Sequence, residues 1–397
     1  MPHENPSLQA TQNEGVRLRQ PKHILLIKSH SMGVGDVLRS SAAWRALKAR
    51  FGDAQLHLLF LSKHPGYATE SLIKEHHLLS SSHFLTLRQK SPQDLSAQKT
   101  PMRALIQESL QICIDHNIDM IIDFEMHGMR SAWLTWRLQK KLAALNQRVQ
   151  TVGVGQFFMK RFFYDQQAPS LKTFAKTQGL SLPMDYTNRD FVALSVLGIE
   201  RLGTSIELRS SQKDKRTVEY LLQDFQATRL GKTNKCERFL LGLNIGCGTP
   251  DAVYKRPAMP ALVQAMASLF NVAPFDLLLT GAPFEKDVNE TFLAAFEATL
   301  RRDNGTQSLR NPLLWMDCAG KTSLPELSAL IERCDLLVST DSGPYHMSVA
   351  LKRPTLAWFI KEEQASYHEE AWCKHVVNPS TDQFTRLALS LLEQKIL

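Results

Sequence analysis

Residues 23–50 read HILLIKSHSMGVGDVLRSSAAWRALKAR. The segment opens on the short apolar run His23-Ile-Leu-Leu-Ile-Lys28, which suits a strand buried on both faces. A glycine-bearing turn, Ser29 to Gly35, follows it. From Asp36 to Arg50 the spacing predicts a helix, with Val37, Leu38, Ala42 and Leu47 on its inward faces. Gln55–Leu61 then reads as a second strand. Strand, turn, helix, strand is the opening of a parallel sheet covered by helices.

The same grammar continues outward. Met102–His116 is helical, Ile118–Phe124 a buried strand and Thr151–Val154 a weaker one. Residues 209–237 are charged and polar around the helical Val218–Phe225 and read as a linker or domain entry. A second series then starts. Phe239–Asn244, Phe275–Thr280, Asp335–Ser339 and Thr355–Phe359 are strands; Met259–Phe270 and Ser323–Arg333 are helices. Ser323 with Glu326 forms a capping-box pair at the start of the latter. Thr385–Leu392 reads as a terminal helix. The expected organisation is a disordered leader (1–21), a first Rossmann-like domain (22–208), the linker (209–237), a second domain (238–380), and a C-terminal helix (381–397) that can return to the first domain. Two doubly wound units imply a cleft between them, with ligands outside the carboxyl ends of the strands.

Composition sets the bounds. The chain has 397 residues, enough for two domains of roughly 150–200 residues each. Hydrophobic residues make up 43% and charged residues 22%, which excludes wholesale disorder. The polar start lacks a secretory signal and no apolar run reaches spanning length, so a cytoplasmic protein is expected. Six scattered cysteines without C-x-x-C spacing indicate neither a redox motif nor zinc. A net charge of +8 and a pI of about 9.1 favour phosphate-bearing partners or a solvated basic surface. No recognised motif supports nucleic-acid binding.

Three turns after strands carry the candidate chemistry. Gly33-Val-Gly35-Asp36 is an incomplete dinucleotide fingerprint: Leu38 stands where the third glycine belongs, and the second strand ends Leu61-Ser62 without a ribose-binding acid. Asp36 is either the cap of the next helix or a general base facing the cleft. Asp341-Ser342-Gly343-Pro344-Tyr345-His346 opens a helix whose N-terminus suits a diphosphate. His346 there is a ligand or a packing residue. A carboxylate beside phosphates would repel them, so Asp341 suits a sugar hydroxyl. Asn244-Ile-Gly246-Cys-Gly248-Thr249 resembles a phosphate cradle, and Lys255 or Arg256 could neutralise a departing diphosphate. The chain has no D-x-D triplet and no local cluster with metal-ligand spacing, so no metal is expected. Arg130, Trp133, Trp136, Arg137, Lys140 and Lys141 lie at helical spacing and could meet an anionic membrane surface or an acceptor; core tryptophans with a solvated basic face are the alternative.

Taken in order, these segments resemble glycosyltransferase family 9, the lipopolysaccharide heptosyltransferases. The resemblance rests on Ile24–Lys28 with Gly35-Asp36-Val-Leu, on Ile118–Phe124 with Arg130-Ser131, and on Gly242–Gly246 through Lys255. Its most specific part is Ala319-Gly-Lys-Thr-Ser-Leu-Pro-Glu-Leu327 followed by Asp335–His346. It implies an α/β GT-B fold, two Rossmann-like domains facing a central cleft, and an inverting, metal-independent transferase. The implied donor is ADP-heptose, a co-substrate rather than a cofactor. The implied acceptor is a lipid-linked or glycan molecule of the lipopolysaccharide core, met at the inner membrane by a peripheral protein. By motif, Asp36 would be the base. Lys255 would contact the donor diphosphate with Thr249 nearby, and Glu285 the nucleoside. Asp341 would hold the sugar, and Ser342 and Gly343 the phosphates, with Gly35, Gly246, Thr322, Pro344 and His346 around them. The first turn is longer than is usual in that family, and Pro257 stands where aromatic residues are usual. A nucleotide-sugar epimerase on the same scaffold and a non-catalytic nucleotide-sugar binder are the competing readings.

Overall fold

The computed structural model describes residues 20–29, 33–63, 65–87, 99–126, 129–155, 162–182, 184–201, 203–232, 238–248, 250–303, 313–362 and 367–393. The first sheet is built from β1 (His23–Ser29), β2 (Gln55–Ser62), β3 (Ser81–Thr86), β4 (Met120–Asp123), β5 (Gln150–Val154) and β6 (Gln166–Ala168). The second is built from β7 (Phe239–Asn244), β8 (Phe275–Thr280), β9 (Trp315–Asp317), β10 (Leu336–Thr340), β11 (Thr355–Phe359) and β12 (Cys373–Val377). Their orders are β3-β2-β1-β4-β5-β6 and β12-β11-β10-β7-β8-β9. Renumbered within each sheet, both are 3-2-1-4-5-6, the doubly wound dinucleotide-fold order. Every pairing is parallel.

Side-chain alternation assigns the faces. Leu25, Ile27, Leu59, Leu61 and Ile121 fill one side of the first sheet, under helices Met102–Asp115 and Arg130–Ala144. Leu241, Leu243, Leu277 and Leu279 fill the outer side of the second. The remaining faces, with Ile24, Leu26 and Leu58 from one sheet and Leu240, Leu278 and Leu337 from the other, join in one apolar cluster that runs between the domains. Ile206, Leu208, Val218, Leu222 and Phe225 belong to that cluster. Within the stretch expected as a linker, residues 212–232 are packed structure: helices Gln212–Leu221 and Gln223–Lys232. Ser211 caps the first of them, accepting from the Asp214 amide.

Polar straps hold the domains in register. Leu208 donates its amide to Ala350 O and Tyr186 to Tyr367 O. Arg201 spans Asp185 (2.7 Å) and Glu370 (3.1 Å). The terminal helix Thr381–Glu393 buries Phe384, Ala388 and Leu391 in the outer cluster of the second sheet, with Phe384 against Trp358, so its described residues pack on their own domain. The helix expected from Asp36 to Arg50 is two, Val34–Leu38 and Ser40–Phe51, parted at Arg39. Ser41 there bonds back to Leu38 O at 2.6 Å, the competition with the helical ladder that serines offer. The capping box at Ser323 and Glu326 forms as expected. No helix among the described residues is long and apolar enough to cross a membrane.

Candidate functional site

In both sheets the strand order reverses between two adjacent strands: β1 and β4 in the first, β7 and β10 in the second. The residues after β1, β7 and β10 therefore sit where doubly wound sheets bind ligands. Helices Val34–Leu38 and Gly343–Ala350, which follow β1 and β10, touch each other across the domain boundary.

On the first domain's side a buried charge network surrounds Asp36. Lys28, at the end of β1, donates to both oxygens of Asp190 at 3.0 and 3.1 Å. Arg39 Nε donates to Asp190 Oδ1 at 3.0 Å, and Ser40 Oγ donates to Oδ2. The other arm of Arg39 reaches Asp36 Oδ1, and Tyr186 donates its hydroxyl to the same oxygen at 2.6 Å. Asp36 is 3% exposed. Burial pushes its pKa up, but Arg39, Lys28 and the Tyr186 hydrogen bond outweigh it and hold the carboxyl below the usual range. It caps nothing: helix Val34–Leu38 has no side-chain cap, and Asp36 lies inside it. Asp36 Oδ2 is buried with no hydrogen-bond partner among the described residues. An ionised carboxylate with one oxygen unspent is equipped to accept a proton. Arg189 lays its guanidinium 4.8 Å over the Tyr186 ring and forms no ion pair among the described residues.

The second domain meets this network through His346. Its ring stacks on Tyr186 at 5.4 Å, bonds His368 Nε2 through Nδ1 at 2.9 Å, and lies 3.9 Å from Asp341 Oδ1. Burial drives His346 down to about 4, so the imidazole is neutral at neutral pH. The ring covers Gly35 so closely that a Cβ there would stand 2.3 Å from its Cδ2. Asp341 in turn receives Lys255 Nζ, at 2.9 Å on Oδ2 and 3.3 Å on its backbone carbonyl. Burial alone would lower the Lys255 pKa; the Asp341 carboxylate raises it. Lys255, Asp341, His346, Tyr186 and Asp36 thus form one continuous chain of contacts between the domains.

Ser342 precedes helix Gly343–Ala350, whose first turn carries Pro344. Its hydroxyl accepts from Asn244 Nδ2 at 2.9 Å and leaves the first amides of the helix uncapped by a side chain. Glu285 is 2% exposed and bound to backbone: it accepts from the amides of Cys247 (2.9 Å) and Ala282 (2.8 Å), with Arg256 at 3.5 Å. A Cβ on Gly246 would fall 1.9 Å from its Oε1, so glycine is what lets this carboxylate shape the turn after β7. Thr249 lies outside the described residues. Thr322 lines a separate cavity of about 480 Å³ with Thr217, Tyr220, Asp224, Lys321 and Glu326, none of which belongs to the set above.

The basic and aromatic residues of helix Arg130–Ala144 divide by face. Trp133 packs against the core, Trp136 meets Phe163 edge-on at 6.1 Å, and Arg137 covers both indoles at 5.6 and 5.9 Å. Arg130 donates to Thr100 O at 2.9 Å. Only Lys140 and Lys141 of this set are exposed. Sequence reading missed Lys28, Arg39, Tyr186, Arg189, Asp190 and His368. Tyr186 and Asp190 lie some 150 residues from Asp36, and only the fold brings them there.

The resemblance to glycosyltransferase family 9 is borne out by comparison with known proteins. The model of glycosyltransferase family 9 (heptosyltransferase) matches residues 292–382. The fold is similar to that of a glycosyl transferase family 9 protein from Veillonella parvula, at TM-score 0.64 and 15% identity, over 94% of this chain and 97% of that one. It is similar to E. coli ADP-heptose lps heptosyltransferase II at TM-score 0.63 and 15% identity, over 94% and 100%. It is also similar to E. coli heptosyltransferase WaaC with ADP-2-deoxy-2-fluoro heptose, at TM-score 0.55 and 14% identity, over 94% and 98%. No curated protein sequence matches the chain. The architecture is GT-B, as expected.

Proposed function

We propose that this protein is an inverting glycosyltransferase that moves a sugar, heptose from ADP-heptose, onto a glycan of the lipopolysaccharide-core type. The observation that carries the reading is the buried Oδ2 of Asp36, without a partner among the described residues and set opposite Lys255 and Asp341 across the domain boundary. The acceptor hydroxyl hydrogen-bonds to Asp36 Oδ2. Its oxygen attacks the anomeric carbon from the face away from the nucleotide, the bond from that carbon to the diphosphate oxygen breaks, and the proton passes to Asp36. Lys255 and the uncapped amides at the start of helix Gly343–Ala350 take up the charge of the leaving diphosphate. Asp341 holds sugar hydroxyls. Arg189 receives an anionic group of the acceptor. No residue pair of D-x-D type serves a metal–diphosphate complex, so the cations and the helix N-terminus take over that task. The donor assignment leans on the nucleotide sugar named for the E. coli WaaC structure. Exposed Lys140 and Lys141, beside a formal charge of +8, support a peripheral position on an anionic inner-membrane surface.

The test is Asp36→Asn assayed with ADP-heptose and a core acceptor. The expected result is a kcat lower by about 10²–10⁴ with donor binding kept. Wild-type turnover by that variant refutes the base assignment. A melting-temperature screen over ADP-, UDP-, GDP- and TDP-sugars identifies the donor by mass action. Conversion of donor without acceptor would replace transfer by epimerisation. Turnover is expected to persist in excess EDTA, and loss restored by Mg²⁺ or Mn²⁺ contradicts the metal-free mechanism.

A further inference from the structure

Four histidines that belong to none of the chemistry above converge at the opposite end of the first sheet. His23 begins β1, His57 is the third residue of β2, His83 is the third of β3, and His116 caps the C-terminus of helix Met102–Asp115. Asp36 follows the carboxyl end of β1, whereas these residues lie at the amino ends of three adjacent strands. We propose that His23, His57, His83 and His116 form a binding site for a divalent d-block cation of the Zn²⁺ type.

The geometry suits such an ion. One ligating nitrogen each from His57, His83 and His116 lies within 4.8 Å of the others. His23 Nδ1 is 3.4 Å from His57 Nε2. Zinc–nitrogen bonds of about 2.0–2.1 Å in a tetrahedron place ligand nitrogens ~3.3 Å apart. The His23–His57 edge already has that length. The other edges close by side-chain rotation, which His83 and His116, both half-buried, have room to make. His57 is buried and set by its strand, so it is the fixed point of the group.

The second shell fits as well. His57 Nδ1 is held by Ser81 Oγ at 2.8 Å, which leaves Nε2, the nitrogen facing His23, to ligate. Ser81 also touches His83 Nε2 at 2.8 Å. The rings of His57 and His116 are 4.4 Å apart and those of His83 and His116 5.0 Å. His116 has no hydrogen-bond partner for its ring among the described residues. Two other charges act on the group. Lys48 disfavours added charge at His57, and its amine is tied to Ala54 O at 2.8 Å. Asp115 favours it at His83. All-nitrogen donors select Zn²⁺ and its transition-metal neighbours over Mg²⁺ or Ca²⁺. Bound there, the ion would tie β1, β2, β3 and a covering helix together, remote from the cleft. Local spacing did not reveal this group because its members come from four separate elements.

The experiment uses the full chain stripped with a chelator, dialysed, and titrated with Co²⁺ and Zn²⁺. The expected result is one equivalent bound, with the visible absorption of four-coordinate Co²⁺ and a melting temperature that rises with Zn²⁺. His57→Gln and, with less risk to folding, half-buried His116→Ala are each expected to weaken binding by about a hundredfold or more. His116→Ala is also expected to keep the melting temperature of the metal-free wild type. His375→Gln, in the other domain, is expected to bind normally. Absence of a stoichiometric site at micromolar metal overturns the proposal, as does unchanged affinity in folded His116→Ala.

Discussion

Gly35→Ala separates local propensity from tertiary contact, because the two predict opposite signs. Gly35 lies inside helix Val34–Leu38, where alanine is favoured over glycine by about 1 kcal/mol. Against this, the new Cβ would stand 2.3, 2.4 and 2.8 Å from Cδ2, Nε2 and Cγ of His346. Carbon atoms in contact sit about 3.5–4.0 Å apart, so the overlap exceeds 1 Å. The ring has little room to retreat: Tyr186 stacks on it at 5.4 Å, His368 holds Nδ1 at 2.9 Å, and it is 6% exposed. Overpacking costs about 1–3 kcal/mol, and breaking the buried hydrogen bond to His368 adds about 1–2 kcal/mol. After the helix gain, a net penalty of about 2 kcal/mol falls on the contact between the domains. Whether the ring swings or the domains part, Asp36 and Asp341 move relative to each other, and a displacement of ~1 Å costs about a hundredfold in rate. Steady-state kcat at saturating donor reads the loss, and urea denaturation of Gly35→Ala, His346→Ala and the double variant reads the coupling. The expected coupling is about 2 kcal/mol, because Gly35→Ala should be harmless once the imidazole is gone. Wild-type kcat in Gly35→Ala, or strictly additive stability losses, would refute the reasoning.

Burial of neutral His346 gives the fold an acid sensitivity. With a folded pKa of about 4 against 6.5, the unfolded chain binds more protons between those values, so stability is full above pH 6.5 and falls as the pH drops toward 4. Between pH 7 and 5 the wild type should lose about 2 kcal/mol more than His346→Asn in urea titrations. Lys255→Ala is expected to lower kcat by about 10²–10³, with Lys255→Arg recovering part of it, in steady-state assays with saturating donor. Asp36 is held below its ordinary value, so its ionised form persists until the pH falls through that lowered pKa, and kcat/KM should show no acid limb from Asp36 between pH 5 and 7. Tyr186→Phe removes one of the groups that lower it, and a limb that fails to move upward in that variant contradicts the assigned hydrogen bond.

Legibility in the sequence followed burial. Phe239–Asn244, Phe275–Thr280 and Thr355–Phe359 were readable to the residue because interior parallel strands are continuous apolar runs. The four strands not anticipated, Ser81–Thr86, Gln166–Ala168, Trp315–Asp317 and Cys373–Val377, are the four sheet edges. Edge strands are short and carry polar side chains, so neither run nor alternation marks them. In the site, Asp36, Lys255 and Asp341 were visible because each belongs to, or soon follows, a glycine-bearing segment after a strand. Their partners Tyr186 and Asp190 come from around helix Asn188–Leu194, whose local sequence has no motif spacing. Glu285 was expected at the nucleoside; its carboxylate accepts from the amides of Cys247, in the turn after β7, and Ala282, in the turn after β8.

The charge balance of the two half-sites bears on how a donor would enter. Around Asp36 two cations, Lys28 and Arg39, face two carboxylates, Asp36 and Asp190, and the group is closed on itself. Across the boundary Lys255 is likewise paired with Asp341, and Arg256 with Glu285. Arg189 over the Tyr186 ring forms no ion pair among the described residues, but on the donor side a nucleotide diphosphate must draw Lys255 or Arg256 from its carboxylate. Lys255 is the one best placed to change partner: its side chain is 29% exposed, against 1% for Lys28, so turning it costs little desolvation. In the proposed reaction that exchange has a second effect. It frees Asp341 Oδ2 at the moment a sugar arrives, so the same movement that binds the phosphates opens the acceptor for the sugar hydroxyls. Arg39 has no such freedom, since it holds Asp36 and Asp190 together, and this keeps the base ionised and in place while the donor side rearranges.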